Sequence, residues 1–139
     1  MPEFSHSRPP EVFGKEGYHT HKIEVGGDKE KIGYIEFEYY NDPFPFYYVS
    51  FLSVKSEKRG EGFGSALLEK INEFLDTKSR TGFLVNTISP DNPAKPMYEK
   101  HGWVPVSGKS GWFAYNLPDD LEEGRLEKAI YKIKSNNIS

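Results

Sequence analysis

Leu52-Ser53-Val54-Lys55-Ser56-Glu57-Lys58-Arg59-Gly60-Glu61-Gly62-Phe63-Gly64-Ser65-Ala66-Leu67-Leu68 joins three unlike pieces: the end of an apolar strand, a charged turn carrying glycines, and the start of a helix. Downstream of Gly64, residues Leu67, Leu68, Ile71, Phe74 and Leu75 follow i, i+3, i+4, i+7 spacing, with Glu69, Lys70, Asn72 and Glu73 between them. That period predicts a helix with one face in the core and the other in water. Upstream, Phe46 to Val54 is apolar or aromatic at most positions, which suits a central strand covered on both faces. A strand that passes through such a turn straight into a helix aims several backbone N–H groups and the positive helix end at one point, and oxyanions bind there. Gly60, Gly62 and Gly64 let a phosphate approach closer than a Cβ would permit, and Lys58 and Arg59 add positive charge.

Two other phosphate motifs fail on the letters. A Gly-x-x-x-x-Gly-Lys-Ser/Thr loop has no counterpart at this strand exit, and Gly108-Lys109-Ser110 falls inside a predicted hairpin. A Gly-x-Gly-x-x-Gly fingerprint begun at Gly60 meets Ser65, and one begun at Gly62 meets Leu67. What fits is Arg59-Gly60-Glu61-Gly62-Phe63-Gly64, which resembles the Arg/Gln-x-x-Gly-x-Gly/Ala signature of the GNAT acetyltransferases. Farther on, Asn92-Pro93-Ala94-Lys95-Pro96-Met97-Tyr98-Glu99-Lys100-His101-Gly102-Trp103 is similar to the same family's Asn, Ala-x-x-x-Tyr-Glu-Lys-x-Gly-Phe segment. The resemblance covers roughly residues 31 to 117.

This resemblance implies a GNAT-like α/β fold: a mixed, mostly antiparallel twisted sheet flanked by helices and splayed at its central strands, with an extra C-terminal helix. It implies an acetyl-CoA-dependent N-acetyltransferase in which a primary amine attacks the thioester directly. The main chain of Leu52, Ser53 and Val54 would pair with the pantetheine arm. Arg59, Gly60, Glu61, Gly62, Phe63, Gly64 and Ser65 would hold the pyrophosphate, with Asn92 as a further hydrogen-bonding contact. Tyr98 would protonate the departing thiolate, a role for which a phenol with an ordinary pKa near 10 is suited. The chain departs from the family pattern at several points. Asp91 stands where the family Asn lies, Pro96 falls within the helix, Trp103 replaces Phe, and the first strands join through Gly26-Gly27-Asp28 without intervening helices.

Other residues carry chemistry of their own. Glu36 and Glu38 on a predicted strand border the expected pocket, and Glu36 is the candidate general base. His19 and His21 share a strand face, but no third ligand accompanies them and no metal site is expected. Tyr39, Tyr40, Phe44, Phe46, Tyr47 and Tyr48 line either an acceptor pocket or the core. Two other functions stay open: a non-catalytic acyl-CoA-binding or regulatory domain, and a protein-interaction module built on the aromatic strands and the tail.

At 139 residues the chain has material for one core. Residues 1–17 are expected to form a flexible arm, 18–117 the acetyltransferase domain and 118–139 a helical tail. In that tail Leu126, Ala129, Ile130 and Ile133 make an apolar stripe that docks on this domain or on a second copy in a homodimer. The element order reads β, β, β, α, β, α, β, β, α. A net charge of -3 gives no reason to expect nucleic-acid or membrane partners. The absence of cysteine excludes disulfides and thiolate nucleophiles, and a cytoplasmic location is the expectation.

Overall fold

The computed structural model describes residues 3–7, 19–27, 30–85 and 95–137. They form a seven-stranded sheet in the order β1-β2-β3-β4-β5-β7-β6, where β1 is Glu3–Ser7, β2 His19–Gly27, β3 Glu30–Tyr40, β4 Phe46–Val54, β5 Thr81–Val85, β6 Val104–Pro105 and β7 Trp112–Tyr115. Every pairing is antiparallel except β4 with β5. Among the described residues three α-helices accompany the sheet: α1 Phe63–Lys78, α2 Lys95–Lys100 and α3 Glu123–Asn137. This is the mixed sheet flanked by helices that the sequence predicts, with its additional C-terminal helix.

Strand alternation sorts the apolar side chains onto two covered faces. Val49 and Leu52 of β4, Leu84 of β5 and Phe113 of β7 pack with Leu67, Leu68, Ile71 and Leu75 of α1 and with Tyr98 of α2. Phe46, Tyr48, Phe83, Trp112 and Ala114 face the other way and are covered by Ala129, Ile130 and Ile133 of α3. The tail stripe therefore docks on this chain's own sheet. The aromatic set divides along the same lines, Tyr47 joining the α1 side and Tyr40, Phe44, Phe46 and Tyr48 the α3 side.

One element was not expected. Glu3–Ser7, within the stretch read as a flexible arm, pairs with β2 along its length, from Glu3 opposite Gly26 to Ser7 opposite Lys22. All of its residues are exposed overall, so backbone hydrogen bonding, helped by the His6 ring against His21, Phe37 and Phe74, holds it and no apolar alternation announces it. The sequence predicts a buried strand over Phe83 to Ile88; β5 begins two residues earlier, at Thr81, and residues 86–88 lie outside the described part. Pro96 occupies the second position of α2, inside the first turn, where a missing N–H costs no intrahelical bond.

Candidate functional site

The β4 strand ends at Val54, and the chain passes through Lys55 and a 3-10 turn at Ser56–Lys58 to reach Gly62, the N-cap of α1. Gly60 and Gly62 have φ of 85° and 88°, a region where a side chain introduces strain. A Cβ built on either would meet nothing within 4 Å, so the glycines are required by the backbone path and the space beside them is open. No side chain caps the helix, and no acidic residue sits in its first turn to offset the positive end. The first helical bond runs from the Ala66 amide to the Gly62 carbonyl at 3.0 Å, which leaves the amides of Phe63, Gly64 and Ser65 without intrahelical acceptors.

These groups open onto a pocket of about 190 Å³ lined by Val54, Lys58, Arg59, Gly60, Gly62, Phe63, Gly64, Ser65 and Met97. The structure thus brings together most of the residues the sequence assigns to an anion site. Arg59 braces the turn, its Nε donating to the Val54 carbonyl at 3.1 Å. Glu61 is exposed and is not part of the wall.

On β4, Leu52 is buried while Ser53 and Val54 are half-buried, opposite Ile35, Tyr34 and Gly33 of β3. The β4 to β5 pairing ends at Val49 opposite Leu84, so among the described residues Phe51 to Val54 pair with β3 alone. The register also slips here. Glu36 faces Phe51 and Phe37 faces Val49, which makes Ser50 the extra residue of a bulge, and bulges re-aim side chains next to functional sites.

Tyr98 lies on α2, fully buried, with its ring 5.7 Å from that of Phe113. Its hydroxyl has no hydrogen-bond partner among the described residues. Burial pushes the phenol up to about 12, so it keeps its proton throughout the neutral range. A buried donor left unpaired costs stability and calls for a partner outside the described residues. The end of α2 is tied to α1 through Asn72, whose Nδ2 donates to the His101 carbonyl at 2.9 Å and whose Oδ1 accepts from Trp103 Nε1 at 2.8 Å.

Glu36 is half-buried on the sheet face opposite Ile35 and Phe37, away from α1, and does not line the pocket. Asn92 lies outside the described residues. His21 is buried against Phe37, with its Nδ1 2.8 Å from Nε2 of His6, and no group of three metal ligands occurs among the described residues. Two residues escaped the sequence reading of the site: Met97, which forms part of the pocket wall, and His101, whose Nε2 lies 2.5 Å from Ser65 Oγ. Their signal was present, since residues 97, 98 and 101 share one helical face.

The sequence matches the acetyltransferase (GNAT) domain family over residues 17–105. Among solved structures, the ribosomal-protein-S18-alanine N-acetyltransferase from Escherichia coli superposes with a TM-score of 0.60 at 14% identity, over 88% of this chain and 99% of that one. The PaiA N-acetyltransferase from Thermoplasma acidophilum, in complex with coenzyme A, gives 0.52 at 18% identity over 68% of this chain and 58% of that one. A GNAT-family acetyltransferase structure from Desulfovibrio desulfuricans gives 0.55 at 18% over 68% of this chain. The chain spans only 65% of that last protein's length. No helix among the described residues is long and apolar enough to cross a membrane.

Proposed function

This chain belongs to the GNAT acetyltransferase family, and from that premise we propose that it moves an acetyl group from acetyl-CoA to a primary amine by direct attack. The observation that carries the proposal is an open, glycine-lined helix N-terminus whose wall includes Met97, next in sequence to a buried phenol, Tyr98, that lacks a partner among the described residues and is not itself part of the wall. Donors of the first kind suit a diphosphate, and a protonated hydroxyl suits a leaving sulfur.

Acetyl-CoA supplies the activated acyl group when bound. The amides of Phe63, Gly64 and Ser65, with the glycines at 60 and 62 and the charge of Lys58 and Arg59, hold the diphosphate. Leu52, Ser53 and Val54 offer main-chain groups on the side of β4 that β5 leaves free among the described residues, suited to the amides of the pantetheine arm. Tyr98 delivers its hydroxyl proton to the sulfur. Glu36, on the opposite face of the sheet, accepts the proton of an ammonium arriving from that side, and Asn92 adds a hydrogen bond to the cofactor. Holding the two reactants in line supplies much of the rate.

The test is release of free thiol from acetyl-CoA across a panel of primary amines. We expect turnover with at least one amine, a fall of about a hundredfold in kcat for Tyr98→Phe with acetyl-CoA affinity retained, and loss of acetyl-CoA binding in Gly62→Trp. Amine-dependent thiol release that is absent throughout the panel, or undiminished in Tyr98→Phe, contradicts the proposal.

A further inference from the structure

The Ser65 hydroxyl is shared between the pocket and a histidine behind it. Ser65 lies in the first turn of α1 and lines the pocket, while its Oγ sits 2.5 Å from His101 Nε2. The other ring nitrogen, Nδ1, faces Glu69 Oε1 at 3.8 Å. The imidazole is only 13% exposed, and its residue is fixed by the Asn72 bond to the His101 carbonyl. His101 is not part of the pocket wall.

We infer that His101 is a positioning residue that decides, by gaining or losing a proton, whether Ser65 offers its single hydroxyl proton to a diphosphate in this pocket. The inference rests on the reading of the α1 N-terminus as a diphosphate site. Serine has one proton to donate and two lone pairs. With a neutral imidazole, the Glu69 carboxylate favours the tautomer carrying its proton on Nδ1, so Nε2 is an acceptor. The proton of Ser65 then points to His101, and hydroxyl lone pairs face the ligand's oxygens. With an imidazolium, Nε2–H donates to Ser65 Oγ, and the hydroxyl proton is released toward the pocket to join the amides of Phe63, Gly64 and Ser65. Imidazole is the side chain that changes charge between about pH 5 and 8. Diphosphate affinity therefore rises when the imidazole carries the extra proton and falls when it does not. Glu69 is the charged group set against this ring from α1, and among the described residues no other ion pair reaches it.

The experiment is calorimetric binding of dephospho-CoA from about pH 5.5 to 8.5, a probe whose diphosphate has no group titrating in this window and which lacks the 3′-phosphate that would. Pantetheine, without the diphosphate, is the control. Wild-type protein is expected to bind dephospho-CoA about tenfold more tightly at the acid end, and pantetheine with no slope. His101→Gln, whose amide donates but does not titrate, is expected to bind tightly and flatly; Ser65→Ala weakly and flatly. Glu69→Gln, an exposed position that does not threaten folding, is expected to flatten the slope in part. A wild-type profile without slope, or a slope that survives in His101→Gln or Ser65→Ala, overturns this inference and leaves the diphosphate reading standing. Failure of the wild type to bind dephospho-CoA at any pH overturns the diphosphate reading itself, and this inference with it.

Discussion

Tyr98 joins a cost to the fold with the role we propose for it in the reaction. Its buried hydroxyl finds no partner among the described residues, so deleting that oxygen relieves a desolvation cost. Tyr98→Phe is accordingly expected to melt at or above the wild-type temperature even as turnover falls; a lower melting point means the hydroxyl is bonded within the protein. Burial pushes both Tyr98 and Tyr48 up to about 12, with Glu38 adding to the effect at Tyr48. The folded state holds these protons more tightly than an unfolded chain with phenols near 10. Their stabilisation is therefore complete below pH 10 and is lost between 10 and 12, on the order of 2 kcal/mol per phenol. Denaturant unfolding across that range measures it, and a flat profile contradicts the burial of both rings. Gly82 is a different case, because a Cβ there would lie 2.7 Å from Leu75 Cδ1 and 2.9 Å from the Trp103 ring. Gly82→Ala is expected to cost about 1 to 3 kcal/mol by overpacking. The turn glycines were legible because their backbone path leaves a motif; Gly82 was not, because its constraint comes from residues distant in sequence.

Among the elements, α3 is held by two kinds of contact. Ala129, Ile130 and Ile133 bury against the sheet, while Lys132 Nζ meets Asp42 at 2.6 Å, Lys128 approaches it at 3.9 Å and Arg125 bonds the Pro43 carbonyl. Ile130→Ala is expected to cost about 2 to 5 kcal/mol in chemical denaturation. Asp42→Asn is expected to cost far less, with the difference fading at high salt. Comparable losses from the two would show that the charges, not the stripe, dock the helix. Periodicity marked the stripe but not its partner, since a helix face carries no address. Alternation likewise separated Glu36 and Glu38 from Ile35 and Phe37, yet gave no sign that Glu38 is buried beside Tyr40, which donates to it at 3.3 Å. The β1 strand left no apolar signal at all. Its His6 is held below the usual histidine range by burial and by Lys78, so the pairing loses support as pH falls below that range. Amide exchange in β1 should quicken there, and exchange indifferent to pH argues against a role for His6.

Across the described residues, the pocket lies where the β4 to β5 pairing has ended and α1 begins, with one core behind each sheet face. That arrangement was legible from the order of two motifs along the chain, the glycine turn and the segment around Tyr98. The side approached by the acceptor was not, because it depends on how β3, β4 and α3 meet. The most direct measurement is a titration of the isotopically labelled protein with coenzyme A, following each backbone amide by NMR and repeating the series with pantetheine. The amides of Gly62, Phe63, Gly64 and Ser65 should move with coenzyme A and stay nearly still with pantetheine, while those of β4 respond to both. Coenzyme A bound with the 62–65 amides unmoved would contradict a diphosphate cradle at the head of α1.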